Sequence, residues 1–221
     1  MSTSRALSKG LPSPSSSPGS DWGLTQMAGR LVEISGHRAS ANLTVAIGLV
    51  LEAQQCGDHA AWVTLRQSTF FPPDVVAAGV SLAHLAVIRV ETLRDATRAV
   101  VELTRSGGFD LVVLDCGPEA MSTKTPQPRE PRATRRKFRE KFSTPLLTKL
   151  TGLARKNQTA VVVLTEKSER ASSISSLISM RAETSRDKEK PCELEIRLLK
   201  DKRRGPGRRH HEVCRAPDGL R

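Results

Sequence analysis

Gly36-His37-Arg38-Ala39-Ser40-Ala41-Asn42-Leu43-Thr44 follows an apolar run and opens a helical pattern, which is where an α/β chain can cradle phosphate. The phosphate-binding pattern G-x-x-x-x-G-K-[ST] uses glycines for close backbone approach, a lysine for the β- and γ-phosphates and a hydroxyl for magnesium. Gly36 keeps the first glycine. Ala41 stands at the second, after Ser40, while Asn42 replaces the lysine and Leu43 the hydroxyl. Asn42 brings no positive charge, Leu43 cannot ligate a cation, and Thr44 is one helical step round and points elsewhere. The Ala41 methyl crowds backbone that would have to approach the phosphates. What survives is a helix N-terminus, able to hold an anion weakly. The loop therefore reads as a dismantled nucleotide site, with no nucleotide or metal cofactor expected.

A second candidate is Asp115, the carboxylate that closes Phe109-Asp110-Leu111-Val112-Val113-Leu114-Asp115. It sits where a Walker B acid would hold a metal through water. A strand-ending aspartate in a turn explains it equally well, because the rest of a metal site is missing.

Strands and helices must position these groups. The residues from Gly29 to Ser35, Ala60 to Leu65, Leu85 to Val90, Phe109 to Asp115 and Thr159 to Thr165 form short apolar runs that read as buried strands. Helical spacing predicts helices from Ala41 to Gln55 and from Thr92 to Thr104, the latter stopped by Gly107-Gly108. Shorter or weaker patterns predict helices from Asp74 to Ala78, behind Pro72-Pro73, and from about Arg136 to Lys156. Ile174 to Ala182 and Glu193 to Leu199 read as further strands, the second alternating in the antiparallel manner. The expected fold is α/β: a largely parallel sheet with helices on both faces and antiparallel strands toward the C-terminus.

The 221 residues fit one such domain, with 38% of them apolar and those concentrated in the middle. Residues 1–22, rich in Ser and Pro, are expected to form a disordered arm, 23–200 the domain, and 201–221 a basic flexible tail. Cys56, Cys116, Cys192 and Cys214 make no CxxC pair and have no histidine at zinc-ligand spacing, which suits a reducing cytoplasm. No apolar run approaches a membrane span, and the N-terminus lacks the apolar core of a signal peptide. A soluble, intracellular protein is expected.

Taken in order, these pieces resemble the core of bacterial RecA recombinase from about Leu24 to Glu212. Gly29-Arg30-Leu31-Val32-Glu33-Ile34-Ser35-Gly36 resembles the strand entering its phosphate loop, and Arg105 to Asp115 its Walker B strand. Ala160 to Thr165 resembles the strand leading to its nucleotide-sensing glutamine. Leu198-Leu199-Lys200-Asp201-Lys202 resembles its lysine pair, which implies Lys200 and Lys202 as interface lysines reaching a neighbouring subunit's nucleotide. The same resemblance places RecA's catalytic glutamate at Gln67, which cannot take a proton from water. The sensing glutamine falls on Glu166, a negative charge facing where a γ-phosphate would lie. The second DNA-binding loop is cut down to about Ser168–Ser173, and the first is replaced by the basic stretch from Arg129 to Lys141. Phosphate loop, catalytic glutamate, sensor and DNA loop have changed together, which argues against ATP hydrolysis.

This profile is similar to the ImuA family of SulA/RecA-like proteins. That resemblance implies a non-catalytic role in SOS-induced translesion DNA synthesis and mutagenesis. It also implies contacts with an ImuB-like protein and/or RecA, in the bacterial cytoplasm and at the nucleoid when acting. A weak ATP- and DNA-binding RecA paralogue and a SulA-like inhibitor of cell division are the alternatives.

A net charge of +12 favours polyanionic partners. Arg132, Arg135, Arg136, Lys137 and Arg139 surround Phe138, with Phe142 four residues on. The arginines can pair with phosphates, and the phenylalanines either stack on bases or pack as one helix face on the core. Arg203, Arg204, Arg208 and Arg209 make a second basic group, able to bind DNA or an acidic protein. The adjacent His210 and His211 are poorly placed for joint metal ligation and read as a solvated pair.

Overall fold

The computed structural model describes residues 22–36, 40–66, 68, 70–117, 142–186, 189 and 192–213. Eight strands form one sheet: β1 (Leu31–Gly36), β2 (Ala60–Leu65), β3 (Leu85–Val90), β4 (Leu111–Asp115), β5 (Ala160–Glu166), β6 (Met180–Arg186), β7 (Glu193–Asp201) and β8 (Arg209–Val213). Their spatial order is β3-β2-β4-β5-β1-β6-β7-β8. β1 to β6 pair in parallel, and β7 and β8 close the sheet in antiparallel fashion. The expected fold class is the observed one.

The central strands are apolar on both sides because both faces are covered. On one face Val32, Ile34, Trp62, Val113, Val162 and Leu164 pack beneath α1 (Leu24–Met27), α2 (Asn42–Cys56) and α3 (Pro72–Ala77). On the other, Leu31, Val63, Val112, Leu114, Val161 and Val163 pack beneath α4 (Leu93–Ser106) and α5 (Thr144–Asn157). Thr92 caps α4 by accepting the Asp95 N–H at 3.1 Å. Phe142 packs against this second cluster, but it precedes the helix, which begins at Thr144 and not near Arg136, so it reaches the core from the incoming chain. Residues 1–21 and residues 136–141 at the start of the expected helix, Phe138 among them, lie outside the described residues.

Two sequence expectations shift. The strand placed at Ile174 to Ala182 is instead Met180–Arg186. Ile174, Leu177 and Ile178 contribute apolar contacts to the second cluster from an irregular segment that precedes it. The flexible tail expected from residue 201 is also corrected. Its first part turns tightly and returns as β8, paired with β7 from Glu193↔Val213 to Arg197↔Arg209. β8 was hidden because it is an edge strand of charged and imidazole side chains, with little apolar alternation to betray it.

The turn is anchored by a buried ion pair. Arg30, at the foot of β1, donates Nη2 to Asp201 Oδ1 at 2.6 Å, and both side chains are almost fully buried. Arg30 also bonds the Gln26 carbonyl and both oxygens of Ser179. Burial alone would raise the Asp201 pKa, but the Arg203 N–H and the Arg30 and Arg208 guanidiniums together hold it below the usual carboxylate value. Its contribution to stability is therefore complete above the ordinary aspartate range and is lost as pH falls through the depressed folded value. Replacing Arg30→Met should cost roughly 3 kcal/mol in urea unfolding, because it strands a buried carboxylate. A variant with unchanged unfolding midpoint would show that Arg208 alone suffices to hold Asp201.

Candidate functional site

β1, β4 and β5 are adjacent and parallel, so their carboxyl ends bring Gly36, Asp115 and Glu166 to one edge of the sheet, facing the start of α2. This is where a phosphate-binding loop would lie. The structure places here Gly36, Ser40, Ala41, Asn42, Leu43 and Thr44, and all but Ser40 have a visible structural use.

Gly36 is required by space. A Cβ there would overlap the Ser40 Cβ and sit 2.9 Å from Asn42 Oδ1 and 3.1 Å from the Thr184 carbonyl. Ala41 is completely buried at the cap of α2, and its N–H donates to Thr184 Oγ1 at 3.2 Å. Asn42, at the lysine position, is 8% exposed and turns inward. Its Nδ2 donates to the Thr165 carbonyl on β5 at 3.0 Å, and its Oδ1 accepts from Thr184 Oγ1 on β6 at 2.7 Å. A side chain that would reach out to phosphates instead ties one helix to two strands. Leu43 packs on the first core cluster, and Thr44 Oγ1 accepts from the Arg186 guanidinium.

The Walker B-like carboxylate is equally engaged. Asp115 is 4% exposed; one oxygen accepts from the Thr64 and Ser68 hydroxyls and the other from the Gly117 N–H at 3.0 Å. Both oxygens already have protein donors, so a metal-bound water would have to displace one of them. Glu166 is exposed at the end of β5, in register with Gly36, and sets a negative charge at the mouth of the loop. Among the described residues no group of three or more His, Cys, Asp or Glu is arranged to hold a metal ion. Cys116, next to Asp115, is buried; burial and then the Asp115 charge push its thiol far up, so it stays protonated and inert.

The polar layer beneath residues 167–179 has no counterpart in the sequence reading. β5 and β6 both run parallel to β1, which lies between them. The chain must therefore return across β1, and it does so without a helix or strand. Its backbone groups find partners in buried charged side chains. Arg181 Nη2 donates to the Ser168 carbonyl at 2.9 Å, its Nη1 to the Ala171 carbonyl and its Nε to Ser35 Oγ at 3.2 Å. Glu33, fully buried in mid-strand, accepts from the Ile174 N–H at 3.0 Å and from Thr165 Oγ1 at 2.9 Å. Lys167 pairs with Glu33 at 2.5 Å and donates to the Ser172 carbonyl at 2.7 Å. Burial lowers the Lys167 pKa, and the Glu33 carboxylate opposes that shift. Ser168–Ser173 is thus a strap held from below. The signal for it was present: Glu33 and Ser35 alternate with Val32, Ile34 and Gly36 inside an otherwise apolar strand.

The remaining sequence candidates are dispersed. Lys200 is half-buried on β7, and Lys202 is exposed with its Nζ on the Ser176 carbonyl at 2.7 Å. Both lie at the amino end of β1 and β6, the opposite end from Gly36, because Met180 pairs with Asp201 and with Val32. Arg208 is withdrawn as a surface contact: its guanidinium reaches the buried Asp201. Arg209 pairs with Glu195 at 3.0 Å, and His210 with Glu212 at 3.2 Å. Gln67, Arg132, Arg135, Arg136, Lys137 and Arg139 lie outside the described residues.

Comparison with known proteins places this geometry. The RecA N-terminal domain family matches the chain over residues 18–176. The chain belongs to the RecA family. It is 29% identical over 142 residues to Protein RecA of Clostridium novyi (strain NT), covering 64% of this chain and 40% of that protein. With Protein RecA of Rhodospirillum rubrum it shares 38% identity over 87 residues, covering 39% of this chain and 24% of the relative. It thus spans two fifths or less of the length of these RecA relatives. The crystal structure of the RadB recombinase superposes with a TM-score of 0.62 at 17% identity, covering 85% of this chain and 88% of that one. At that identity the likeness concerns the fold.

Two outcomes are expected for this RecA-family site. Asn42→Ala should destabilise by about 1–3 kcal/mol in denaturant unfolding, because the Thr165 carbonyl and Thr184 hydroxyl lose their partner. A neutral effect would mean that water replaces the amide. Arg181→Ala should free the strap, so that trypsin cleaves after Lys167 or Arg170 far faster than in the natural protein while the rest of the sheet resists. Equal cleavage rates would show that the strap does not need its guanidinium.

Proposed function

We propose that this RecA-family chain is a non-catalytic accessory protein of the ImuA kind. It would act in bacterial SOS-induced translesion synthesis and mutagenesis by contacts with an ImuB-like protein and/or RecA, with DNA contact through its basic segments. The observation that carries the reading is the inward-turned Asn42. At the one position where a phosphate loop needs a mobile cation, the side chain is neutral and occupied in holding α2 to β5 and β6.

Three further features support it. Asp115 has both oxygens satisfied by protein donors, Glu166 adds a carboxylate at the loop mouth, and the loop position carries Leu43 where a magnesium hydroxyl would stand. Binding ATP would require breaking the Asn42 bridge and overcoming the Glu166 charge with no lysine to compensate. A strap tied down by Arg181 and Glu33 is also a poor substitute for a loop that rearranges around DNA in answer to nucleotide. No helix among the described residues is long and apolar enough to cross a membrane, which accords with action in the cytoplasm.

Titration of fluorescent ATP and ADP with magnesium is the direct test. Neither nucleotide should bind at micromolar concentration, and Asn42→Lys alone should not restore binding. Micromolar affinity in the natural protein would overturn the non-catalytic reading. Pull-down with ImuB and with RecA then separates the accessory role from cell-division inhibition, for which neither partner should be retained.

A further inference from the structure

The ladder between β7 and β8 fixes the relative positions of two cysteines. Its register runs from Arg197↔Arg209 to Glu193↔Val213 with no shift. One step further along the two strands the sequence carries Cys192 and Cys214. The Leu198 N–H donates to the Arg208 carbonyl at 2.8 Å, so by the alternation of an antiparallel ladder Glu193 and Val213 form a pair without mutual hydrogen bonds. The Cα atoms of such a pair stand about 4.5 Å apart. Cys214 lies outside the described residues, but one peptide bond ties it to Val213. Whatever course it takes, its Cα stays within about 12 Å of the Cys192 Cα, because consecutive Cα atoms are about 3.8 Å apart. Continuing the ladder by that one residue sets the two Cα atoms about 5.5 Å apart, inside the range a disulfide spans.

Pleating adds a second constraint. Leu194, Ile196 and Leu198 are buried and Glu193 is exposed, so alternation assigns Cys192 to the inward face of β7. On β8, His210 and Glu212 are half-buried against exposed Arg209, His211 and Val213, and the next position on their face is 214. The two thiols thus share a rung and a face. Cys192 is half-buried, unlike the inert Cys116, so a small reagent reaches it. The other cysteines are out of range. Cys116 belongs to the core cluster on the opposite side of the sheet from Leu194 and Ile196. Cys56 ends α2 at the amino end of the sheet, whereas Cys192 precedes β7 at the carboxyl end, where Arg186 pairs with Leu194.

We propose that Cys192 and Cys214 form a reversible disulfide that clasps the open end of the β7–β8 hairpin, with a low-molecular-weight disulfide as oxidant. The Cys192 thiolate attacks one sulfur of that disulfide, forming a mixed disulfide and expelling a first small thiolate. The Cys214 thiolate then attacks Cys192 Sγ, forming the intramolecular S–S bond and expelling a second. Two protein thiols are oxidised, one small disulfide is reduced to two thiols, and the protons of the protein thiols end on them. In a reducing cytoplasm the pair rests as thiols, and the bond forms when the small-disulfide pool rises. The hairpin is then closed at both ends, by the Asp201 turn at one and by sulfur at the other, so the charged edge strand β8 no longer peels from β7. This clasp is independent of what the loop after β1 binds.

The test equilibrates the full chain, dilute, in glutathione buffers of rising glutathione-disulfide content, blocks the remaining thiols and maps linked tryptic peptides by mass spectrometry. The peptides carrying Cys192 and Cys214 should be recovered linked within one chain, and the linked form should exceed glutathione adducts at either cysteine. Oxidation should raise the folding constant on the order of 100-fold in urea unfolding, as closure of a loop of this size does. Cys192→Ser should abolish both the link and the gain, and Cys56→Ser should leave both. Glutathione adducts without the link, a link to Cys56, or a link only between chains overturns the proposal.

The register has its own arm. Cys192→Ser combined with Glu193→Cys moves the thiol by one residue and onto the outward face; Glu193 is exposed, so the exchange disturbs no packing. A partner bound to the ladder should then link on the order of 10-fold less at the same buffer ratio, because a one-residue shift turns the side chain away. A thiol on an unpaired end would link equally well, and equal linking overturns the clasp. Dithiothreitol should return the free thiols and the original urea midpoint. A link that forms in urea but not in buffer belongs to the unfolded chain and likewise overturns the proposal.

Discussion

The return of the chain from the end of β5 to the start of β6 is the constraint on which the rest depends. Parallel strands on either side of β1 demand a crossover, and an irregular crossover carries backbone donors and acceptors that a helix would have paired internally. Burying that backbone over β1 requires partners from below. Arg181, Glu33 and Lys167 supply them, and this is why an apolar sheet contains a buried guanidinium and carboxylate. Their charges are tolerable there because Glu33 and Lys167 pair with each other and the Arg181 guanidinium is hydrogen-bonded to Ser35 and two strap carbonyls.

The two ends of the sheet then take different characters. At the carboxyl end, Thr184 on β6 bonds both the Ala41 N–H and the Asn42 amide, so the loop following β1 is fastened to the strand next to it. At the amino end, Arg30 and Asp201 fasten β1 to the β7–β8 turn. At one end, where a phosphate-binding loop would lie, the protein's own hydrogen bonds fill the interior. At the other, a buried ion pair fixes a turn.

Much of this was legible in the sequence where one force dominates. β3 lies where its apolar run places it, and β1, β2, β4 and β5 agree within two residues, because continuous Val, Leu and Ile runs mark strands buried on both faces. That Asn42 and Leu43 stand where a phosphate loop carries lysine and hydroxyl is a matter of residue type, and is read directly from the sequence. The inward bonds of Asn42 were not legible there, because they depend on Thr165 and Thr184 arriving from more than a hundred residues away. β6 was displaced because the strap's apolar contacts mimic a strand, and the turn at Asp201 was mistaken for a tail because its stabilising partner, Arg30, is remote in sequence.

The Asn42 bridge also bears on how such a chain could change over time. A loop that merely lost its lysine could regain it in one step. Here the Asn42 amide has dependants: the Thr165 carbonyl and the Thr184 hydroxyl both bond it, and that hydroxyl in turn accepts the Ala41 N–H. Reversion would surrender those bonds at once, while any return in phosphate affinity would wait on further changes at Ala41, Leu43 and Glu166. Gly36 itself is held in place by packing alone, because any side chain there would overlap Ser40.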